Sequence, residues 1–344
     1  MQLHANPWRR RLVTTVAALA IAAVAGCSQN PVDPPPATIE PAQAAASPPV
    51  TGAPPGTVRP LAAGAQTALV DPAGGALVVL GPGPQGQSAV TVFAPAERPR
   101  TLLTPAPATG MATDGDGTLY LSTRGGYFRA GVTAERVEFV EVEGQRDTDF
   151  SAITRHDDGR LVLGTADGAV LTLDSETGVG ARLPLFARVD ALVSRGDTTV
   201  VLDRGQTSVT TVDADGSGAG QALRAGEGAT TMTVDPAGRV LVADTRGDEL
   251  LVFGVDPLIM RQRYPVPDAP YGLAGSERLA WVSQTASNTV IGYDLATGIP
   301  VEKVRHRTVQ QPNVLAYDDA SGTLYVVSGS GAGVQAIPDA AVRR

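Results

Sequence analysis

From residue 57 onward, short apolar runs alternate with turns rich in Asp and Gly. Runs of five or six residues, rich in Val and Leu and bounded by Gly or Asp, predict β-strands rather than helices. They recur in a fixed order: strand, Asp/Gly turn, second strand, small or charged loop, third strand. Successive copies start 42, 41, 39, 40, 41 and 42 residues apart. The seven copies begin near Ala68, Gly110, Ser151, Asp190, Thr230, Tyr271 and Asn313.

A repeat of about 40 residues with such short strands matches one four-stranded propeller blade. Helical repeats of this length need apolar residues at helical spacing, and a β-sandwich does not repeat so regularly. The sequence therefore predicts an all-β fold, a seven-bladed β-propeller over residues 57–340. The last copy ends after Gly333 to Ile337 without a fourth strand, so the segment Thr57 to Leu61 is predicted to complete the final blade and close the ring.

The N-terminus shows a different pattern. Arg9, Arg10 and Arg11 precede an uncharged apolar stretch, Leu12 to Ala25, that would rise only about 21 Å as a helix. It ends at Val24-Ala25-Gly26-Cys27, which resembles the lipobox of bacterial lipoproteins. We therefore expect residues 1–26 to be a signal peptide and Cys27, the one cysteine of the chain, to carry a lipid on the extracytoplasmic face of the cell membrane. An ordinary secretory signal is the alternative.

Residues 28–60 contain ten prolines and few charges. Such a composition buries too little apolar surface to fold, so residues 27–56 are predicted to be a disordered, extended tether reaching up to roughly 100 Å. Beyond the signal peptide the chain has 24 basic and 35 acidic residues, a net charge of −11. This balance excludes nucleic acid as a favoured partner, because no Lys or Arg run replaces phosphate counterions.

Two kinds of resemblance support this prediction. The stretch GRVLVADTRGDELLVF, Gly238 to Phe253, resembles NHL repeats, and Leu279 to Gly298 and Gly322 to Ile337 resemble YVTN repeats. The signal, the TIEPAQ stretch at Thr38 to Gln43 and Ser287 to Val304 resemble the mycobacterial LppL-type conserved lipoproteins. These resemblances imply a propeller and a place in the cell envelope, and they imply no chemistry.

Motifs with catalytic or metal-binding chemistry are weak. Gly81 to Gly86 fits G-x-G-x-x-G, but two prolines remove backbone donors and a strand follows, so it is predicted to be a loop. The Asp-Gly pairs after Asp114 and Asp213 are typical of hairpin turns rather than calcium loops. No catalytic residue and no cofactor or metal site is predicted, although a propeller lactonase or hydrolase with a divalent cation such as Ca²⁺ in its channel remains the alternative function.

The leading hypothesis is a binding or scaffold module for an unidentified envelope protein or cell-wall ligand. In a propeller, the loops between second and third strands open on one face together with the links between blades. The residues of this predicted binding rim are Arg124, Asp167, Asp203, Arg204, Asp244, Arg246, Asp248, Tyr271, Gln284, Asn288, Gln311 and Asn313. Its alternative interpretation is a solvated rim whose Asp and Arg side chains pair with each other.

Overall fold

A computed structural model describes residues 37–342, and these form seven four-stranded antiparallel sheets. Blade 1 comprises β2 Thr67–Asp71, β3 Ala76–Pro82, β4 Ser88–Phe93 and β5 Arg100–Leu103, and blade 2 comprises β6 Gly110–Thr113, β7 Thr118–Thr123, β8 Gly126–Gly131 and β9 Glu138–Glu141. Blade 3 comprises β10 Phe150–Arg155, β11 Leu161–Thr165, β12 Ala169–Leu173 and β13 Val179–Pro184, and blade 4 comprises β14 Ala191–Arg195, β15 Thr198–Asp203, β16 Ser208–Val212 and β17 Ala219–Arg224. Blade 5 comprises β18 Ala229–Val234, β19 Val240–Asp244, β20 Glu249–Val255 and β21 Leu258–Pro265. Blade 6 comprises β22 Pro270–Gly275, β23 Ala280–Gln284, β24 Thr289–Asp294 and β25 Val301–Arg307. Blade 7 comprises β26 Pro312–Asp318, β27 Thr323–Ser328, β28 Val334–Ile337 and β1 Thr57–Arg59.

The sheets are arranged as a closed ring. In six of the sheets the strands pair in sequence order, and in the seventh β1 pairs with β28. The first strands of neighbouring blades contact one another around the centre, including β2 of blade 1 with β26 of blade 7. The predicted seven-bladed β-propeller is therefore confirmed.

The ring closes through the chain's N-terminal strand. β1 pairs with β28 in antiparallel register, with Thr57 opposite Ala336, Val58 opposite Gln335 and Arg59 opposite Val334. This pairing covers the edge that the last repeat leaves open, as the sequence predicted.

The apolar core lies between blades rather than within one central cluster. Seven clusters of buried side chains fill the seven blade interfaces. In β3, Leu77 and Val79 pack against blade 7, whereas Val78 and Leu80 pack against blade 2. Because the second strand of each blade is buried on both faces, its sequence is a continuous apolar run instead of an alternating one.

Turns at the strand ends follow the predicted chemistry. Asp114 Oδ1 accepts hydrogen bonds from the backbone N–H groups of Asp116 and Thr118, which fixes the β6–β7 hairpin. The G-x-G-x-x-G stretch forms a short 3₁₀ turn, Pro84–Gly86, and β4 follows it.

Residues 37–56 have no regular secondary structure, yet they hold a defined extended path against the ring. Backbone and side-chain hydrogen bonds fix them, for example from Gln335 Nε2 to the Pro55 carbonyl at 2.8 Å. This differs from the predicted disordered tether: a proline-rich chain forms no hydrogen bonds of its own, but donors on the ring satisfy its carbonyl groups. We call residues 37–56 the strap.

The predicted signal peptide, Cys27 and the first part of the predicted tether, residues 27–36, lie outside the described residues. Within residues 37–342, no helix is long and apolar enough to cross a bilayer.

Candidate functional site

The predicted rim lies at one end of all seven sheets. In antiparallel blades, the loops between second and third strands and the links to the next blade emerge at the same end, while the hairpins between first and second strands emerge at the other. The structure separates the twelve rim residues into buried residues that fix the loops, residues that hold the strap, exposed ion-paired residues and residues of the central channel.

Two buried aspartates fix the backbone beneath the rim. Asp244 ends β19 and is fully buried; its carboxylate accepts hydrogen bonds from the N–H groups of Glu227 and Gly228, both at 2.8 Å, and of Gly247 at 3.1 Å. Asp203 ends β15 and is likewise fully buried against backbone N–H groups. These carboxylates position the link and the loop of their own blades and offer no free oxygen to a partner.

Gln284 occupies the corresponding position at the end of β23. It is fully buried and donates from Nε2 to the Pro267 carbonyl at 2.7 Å, while its Oε1 accepts from Arg305 at 3.0 Å. The hydrogen bond from Arg305 to Glu302 raises the pKa of Arg305, which stays charged beneath the loop. Gln284 therefore also positions the rim rather than forming its binding surface.

Two rim arginines bind the first part of the strap. Arg246 donates to the Glu40 carbonyl at 2.8 Å, and Arg204 donates to the Ala42 carbonyl. One residue before Glu40, the Ile39 N–H donates to the Gly205 carbonyl at 2.7 Å. The strap is thus fixed over blades 4 and 5 by both charged and backbone partners.

Rim amides bind the middle of the strap. Gln311 donates from Nε2 to the Ala45 carbonyl at 2.8 Å and accepts the Ser47 N–H at 3.0 Å on Oε1. Asn288 donates from Nδ2 to the Pro48 carbonyl at 2.7 Å. The predicted rim residues Arg204, Arg246, Asn288 and Gln311 are therefore brought together by one segment, which runs from blade 7 to blade 4.

Three other rim residues have their own partners. Arg124 forms ion pairs with Asp147 at 3.2 Å and Asp149 at 3.3 Å, and all three side chains are exposed. Asp167 lies 3.6 Å from Arg182, and Asp248 accepts the Ala269 N–H at 3.0 Å. The exposed ion pairs of Arg124 and Asp167 fit the solvated-rim interpretation, and each contributes little to stability, whereas Asp248 binds a backbone N–H.

Tyr271 and Asn313 line a cavity of about 340 Å³ at the centre of the ring, to which all seven innermost strands contribute. Several of its hydroxyl groups already connect neighbouring blades. Thr109 donates to the Phe150 carbonyl and Ser151 to the Val189 carbonyl, both at 2.6 Å. The cavity is therefore lined by apolar side chains and by hydroxyl groups that hold the ring together, with the amides of Gln66 and Asn313 and the charged Asp190 and Arg204 among them.

The only carboxylate lining this cavity, among the described residues, is that of Asp190. Its two oxygens accept from Arg188 Nε at 3.1 Å and from the Arg204 N–H at 2.8 Å. A divalent cation needs several oxygens converging on one point, so this lining does not favour the channel metal of the enzyme alternative.

One group of metal-type side chains occurs at the opposite end of the ring. Ligand atoms of His156, Asp158 and Asp197 lie within 4.8 Å of one another. However, Asp158 is already paired with Arg160 at 2.6 Å, and His156 Nε2 lies 2.7 Å from the Thr199 hydroxyl. Burial, together with the nearby Arg160, lowers the pKa of His156 and keeps the ring neutral near pH 7. This arrangement is that of a buried histidine fixing the contact between blades 3 and 4.

Sequence reasoning missed the strap and several of the groups that hold it. Gln310 donates to the Ser47 carbonyl at 3.2 Å, and the Thr285 carbonyl accepts from the Ser47 hydroxyl at 2.5 Å. Nothing in the sequence distinguishes such groups from ordinary surface amides and carbonyls. The TIEPAQ stretch, which carries part of the family resemblance, coincides with the start of the strap, but it gave no indication of an ordered segment.

No protein-family model and no curated protein matches this sequence. Among solved structures, U3-55K is similar with a TM-score of 0.70 and 12% identity, covering 82% of this chain and 97% of that one. A chain of a mitotic checkpoint complex has a TM-score of 0.65 and 12% identity over 84% and 98% of the two chains. Virginiamycin B lyase from Staphylococcus aureus has a TM-score of 0.67 and 9% identity over 81% and 97%. At these identities the likeness shows the propeller fold alone.

Proposed function

We propose that this chain is a binding or scaffold module, held at the extracytoplasmic face of the cell membrane by a lipid on Cys27, whose partner is an envelope protein or a cell-wall component. One observation carries the proposal: fixed side chains on a rigid ring already bind an extended polypeptide along the rim. The rim therefore has the donors and the geometry that recognition of a chain requires.

The solved structures are consistent with a scaffold but do not decide the function. One similar propeller is part of a mitotic checkpoint complex, and another is a lyase. The same ring thus serves both assembly and catalysis in other proteins, and the site must decide. In this chain the channel lining favours no metal-dependent reaction, whereas the rim binds a peptide segment.

The strap changes the expected reach of the anchor. Because the chain is fixed to the ring from about residue 37, only ten chain steps separate Cys27 from Ala37. Ten extended residues span at most roughly 35 Å, about a third of the reach expected for a fully disordered tether. A lipid on Cys27 would therefore keep residue 37 near the membrane.

Cys27→Ala is expected to abolish lipid attachment and to leave the unprocessed precursor, because the thiol is the group that would carry the diacylglycerol. Metabolic labelling with a fatty-acid probe, together with the mobility of the chain on a gel, measures both effects. Wild-type cells in which globomycin inhibits the signal peptidase are the matched control for the unprocessed precursor. Normal processing of the variant would show ordinary secretion instead of a lipid anchor.

A photo-crosslinking residue at Arg124 is expected to capture a discrete partner in the native envelope, because this position lies on the rim, is exposed and does not contact the strap. The same residue at Asp116, in an exposed hairpin at the opposite end of the ring, is the control. Adducts are measured by their mass and by digestion with protease or muralytic enzyme. Equal capture at both positions, or none at either, would contradict a partner-binding rim.

A further inference from the structure

The strap is recognised almost entirely through its main chain. Six side chains of the ring donate to strap carbonyl groups, and none of them contacts a strap side chain in doing so. The donors are Arg204, Arg246, Asn288, Gln310, Gln311 and Gln335. Every polypeptide presents such carbonyl groups, and an extended proline-rich chain leaves them free of internal hydrogen bonds.

Side-chain recognition occurs at two strap positions, Ala42 and Ser47. The Ser47 hydroxyl donates to the Thr285 carbonyl at 2.5 Å and accepts the Gln311 N–H at 3.1 Å. Ala42 is 8% exposed, and its Cβ lies 3.0 Å from where a Cβ on Gly228 would stand. The side chains on either side of it, Pro41 and Gln43, are half-buried and exposed. The site therefore requires a small residue at the position of Ala42 and favours a hydroxyl group at that of Ser47, whereas the hydrogen bonds to strap carbonyl groups place no demand on the other side chains.

Each strap contact is individually modest. A hydrogen bond at a partly exposed site contributes little net free energy, because water competes for both partners. The strap remains in place since it is joined covalently to β1, which gives it an effective concentration on the order of millimolar at the rim. A segment of another polypeptide with the same backbone conformation would make the same contacts as the strap and would lack only its effective concentration.

We propose that the strap site is a peptide-binding groove that accepts, in exchange for the strap, an extended segment rich in proline and alanine from another polypeptide. This rests on the proposed binding function and names the chemistry of its partner. The strap then acts as an intramolecular competitor that sets how much free peptide is needed for binding.

The test uses the full chain and displaces the strap by a substitution in the strap itself, not in the ring. Ala42→Arg places a long charged side chain where Ala42 is buried, and it leaves every donor of the ring intact. Gln43→Arg adds the same charge at an exposed neighbouring position and is the matched control. Both variants are compared with the wild type for binding of a fluorescent peptide of residues 37–50, by anisotropy, after each is shown to unfold in a single cooperative thermal transition.

The Ala42→Arg chain is expected to bind the peptide about ten-fold more tightly than the wild type and the Gln43→Arg chain, because the competitor is removed. Adding Gln311→Ala to the Ala42→Arg chain should reverse this gain. A peptide of the same length built from Pro-Ala-Ala repeats, with a serine at the position of Ser47, should also bind. Equal affinities in all chains, or failure of the repeat peptide with the displaced strap, would overturn the proposal.

The remaining candidate occupant of the strap site is the strap of a second copy of this chain. Light scattering on the wild-type chain tests for it by measuring the oligomeric state. A monomer supports an external peptide, whereas a dimer that dissociates in the Ala42→Arg variant would show strap exchange between copies and overturn the proposal. The binding measurements need neither lipid nor envelope. Their failure would leave the anchoring and crosslinking results intact, and failure of those experiments would leave the peptide affinities intact.

Discussion

Deleting residues 57–62 is expected to lower the melting temperature of the ring by roughly 10 °C. The deletion removes β1 and with it the ladder that joins Thr57, Val58 and Arg59 to β28. It also removes Leu61, which packs against the cluster between blades 7 and 1. Lost ladder hydrogen bonds and apolar contacts together amount to about 3–5 kcal/mol. The exposed edge of β28 should also promote self-association, which light scattering during the melt would detect.

The substitution Gly56→Ala tests the closure of the ring by β1 with the addition of only one methyl group. Gly56 has φ +83°, and a Cβ there would lie 2.0 Å from the Ala336 carbonyl oxygen, so Gly56→Ala pushes β1 away from β28. Gly298 has a similar φ of +80° with nothing within 4 Å of a Cβ, so Gly298→Ala has the backbone strain without the clash. A melt of Gly56→Ala no lower than that of Gly298→Ala would contradict closure by β1.

Asp244→Ala is expected to destabilise the protein by about 2–4 kcal/mol, because it leaves one buried and two partly buried N–H groups without an acceptor. Those groups belong to Glu227, Gly228 and Gly247, and each was bonded to the Asp244 carboxylate. Urea unfolding, monitored by circular dichroism, measures the loss as a shift in midpoint at constant slope.

Two variants make the Asp244 result specific. Asp244→Asn keeps one acceptor oxygen and should lose less stability than Asp244→Ala. Asp116→Ala removes an exposed carboxylate from a hairpin and should change the midpoint little. If Asp244→Ala unfolds at the same urea concentration as Asp116→Ala, the carboxylate does not fix the rim backbone.

The fold could be predicted from the sequence because one physical constraint repeats seven times. A second strand buried on both faces must be apolar at every position, as in Leu77 to Leu80, and must end in a turn. The missing fourth strand of the last copy likewise pointed to Thr57 to Leu61, since a ring leaves no edge unpaired. Both predictions depended only on local pattern and on the period.

The strap could not be predicted because its order does not come from its own residues. Prolines and alanines bury little surface, so composition indicates disorder. Its conformation depends on donors such as Gln311 and Arg246, which are more than 200 positions away in the chain. Only the folded ring brings those donors together.

The sequence predicted where the rim lies, but it did not predict which rim residues bind the strap and which fix the backbone. Asp203 and Asp244 read like exposed loop carboxylates, because an aspartate at a strand end looks the same whether it faces solvent or caps backbone N–H groups. Arg204 and Arg246 stand one and two positions further on; Arg204 is half-buried and Arg246 is exposed, and both bind the strap. A shift of one or two residues at a strand end thus separates a structural group from a binding group.

The route of the strap also has a mechanical consequence. A pull applied to the chain at residue 37 would reach the strap contacts one after another before any force acted on the β1–β28 ladder. Each contact can break separately, so tension would be dissipated in small steps along the rim while the ring itself stayed closed. The strap residues that would meet this force in turn are Ile39, Glu40, Ala42, Ala45, Ser47, Pro48 and Pro55.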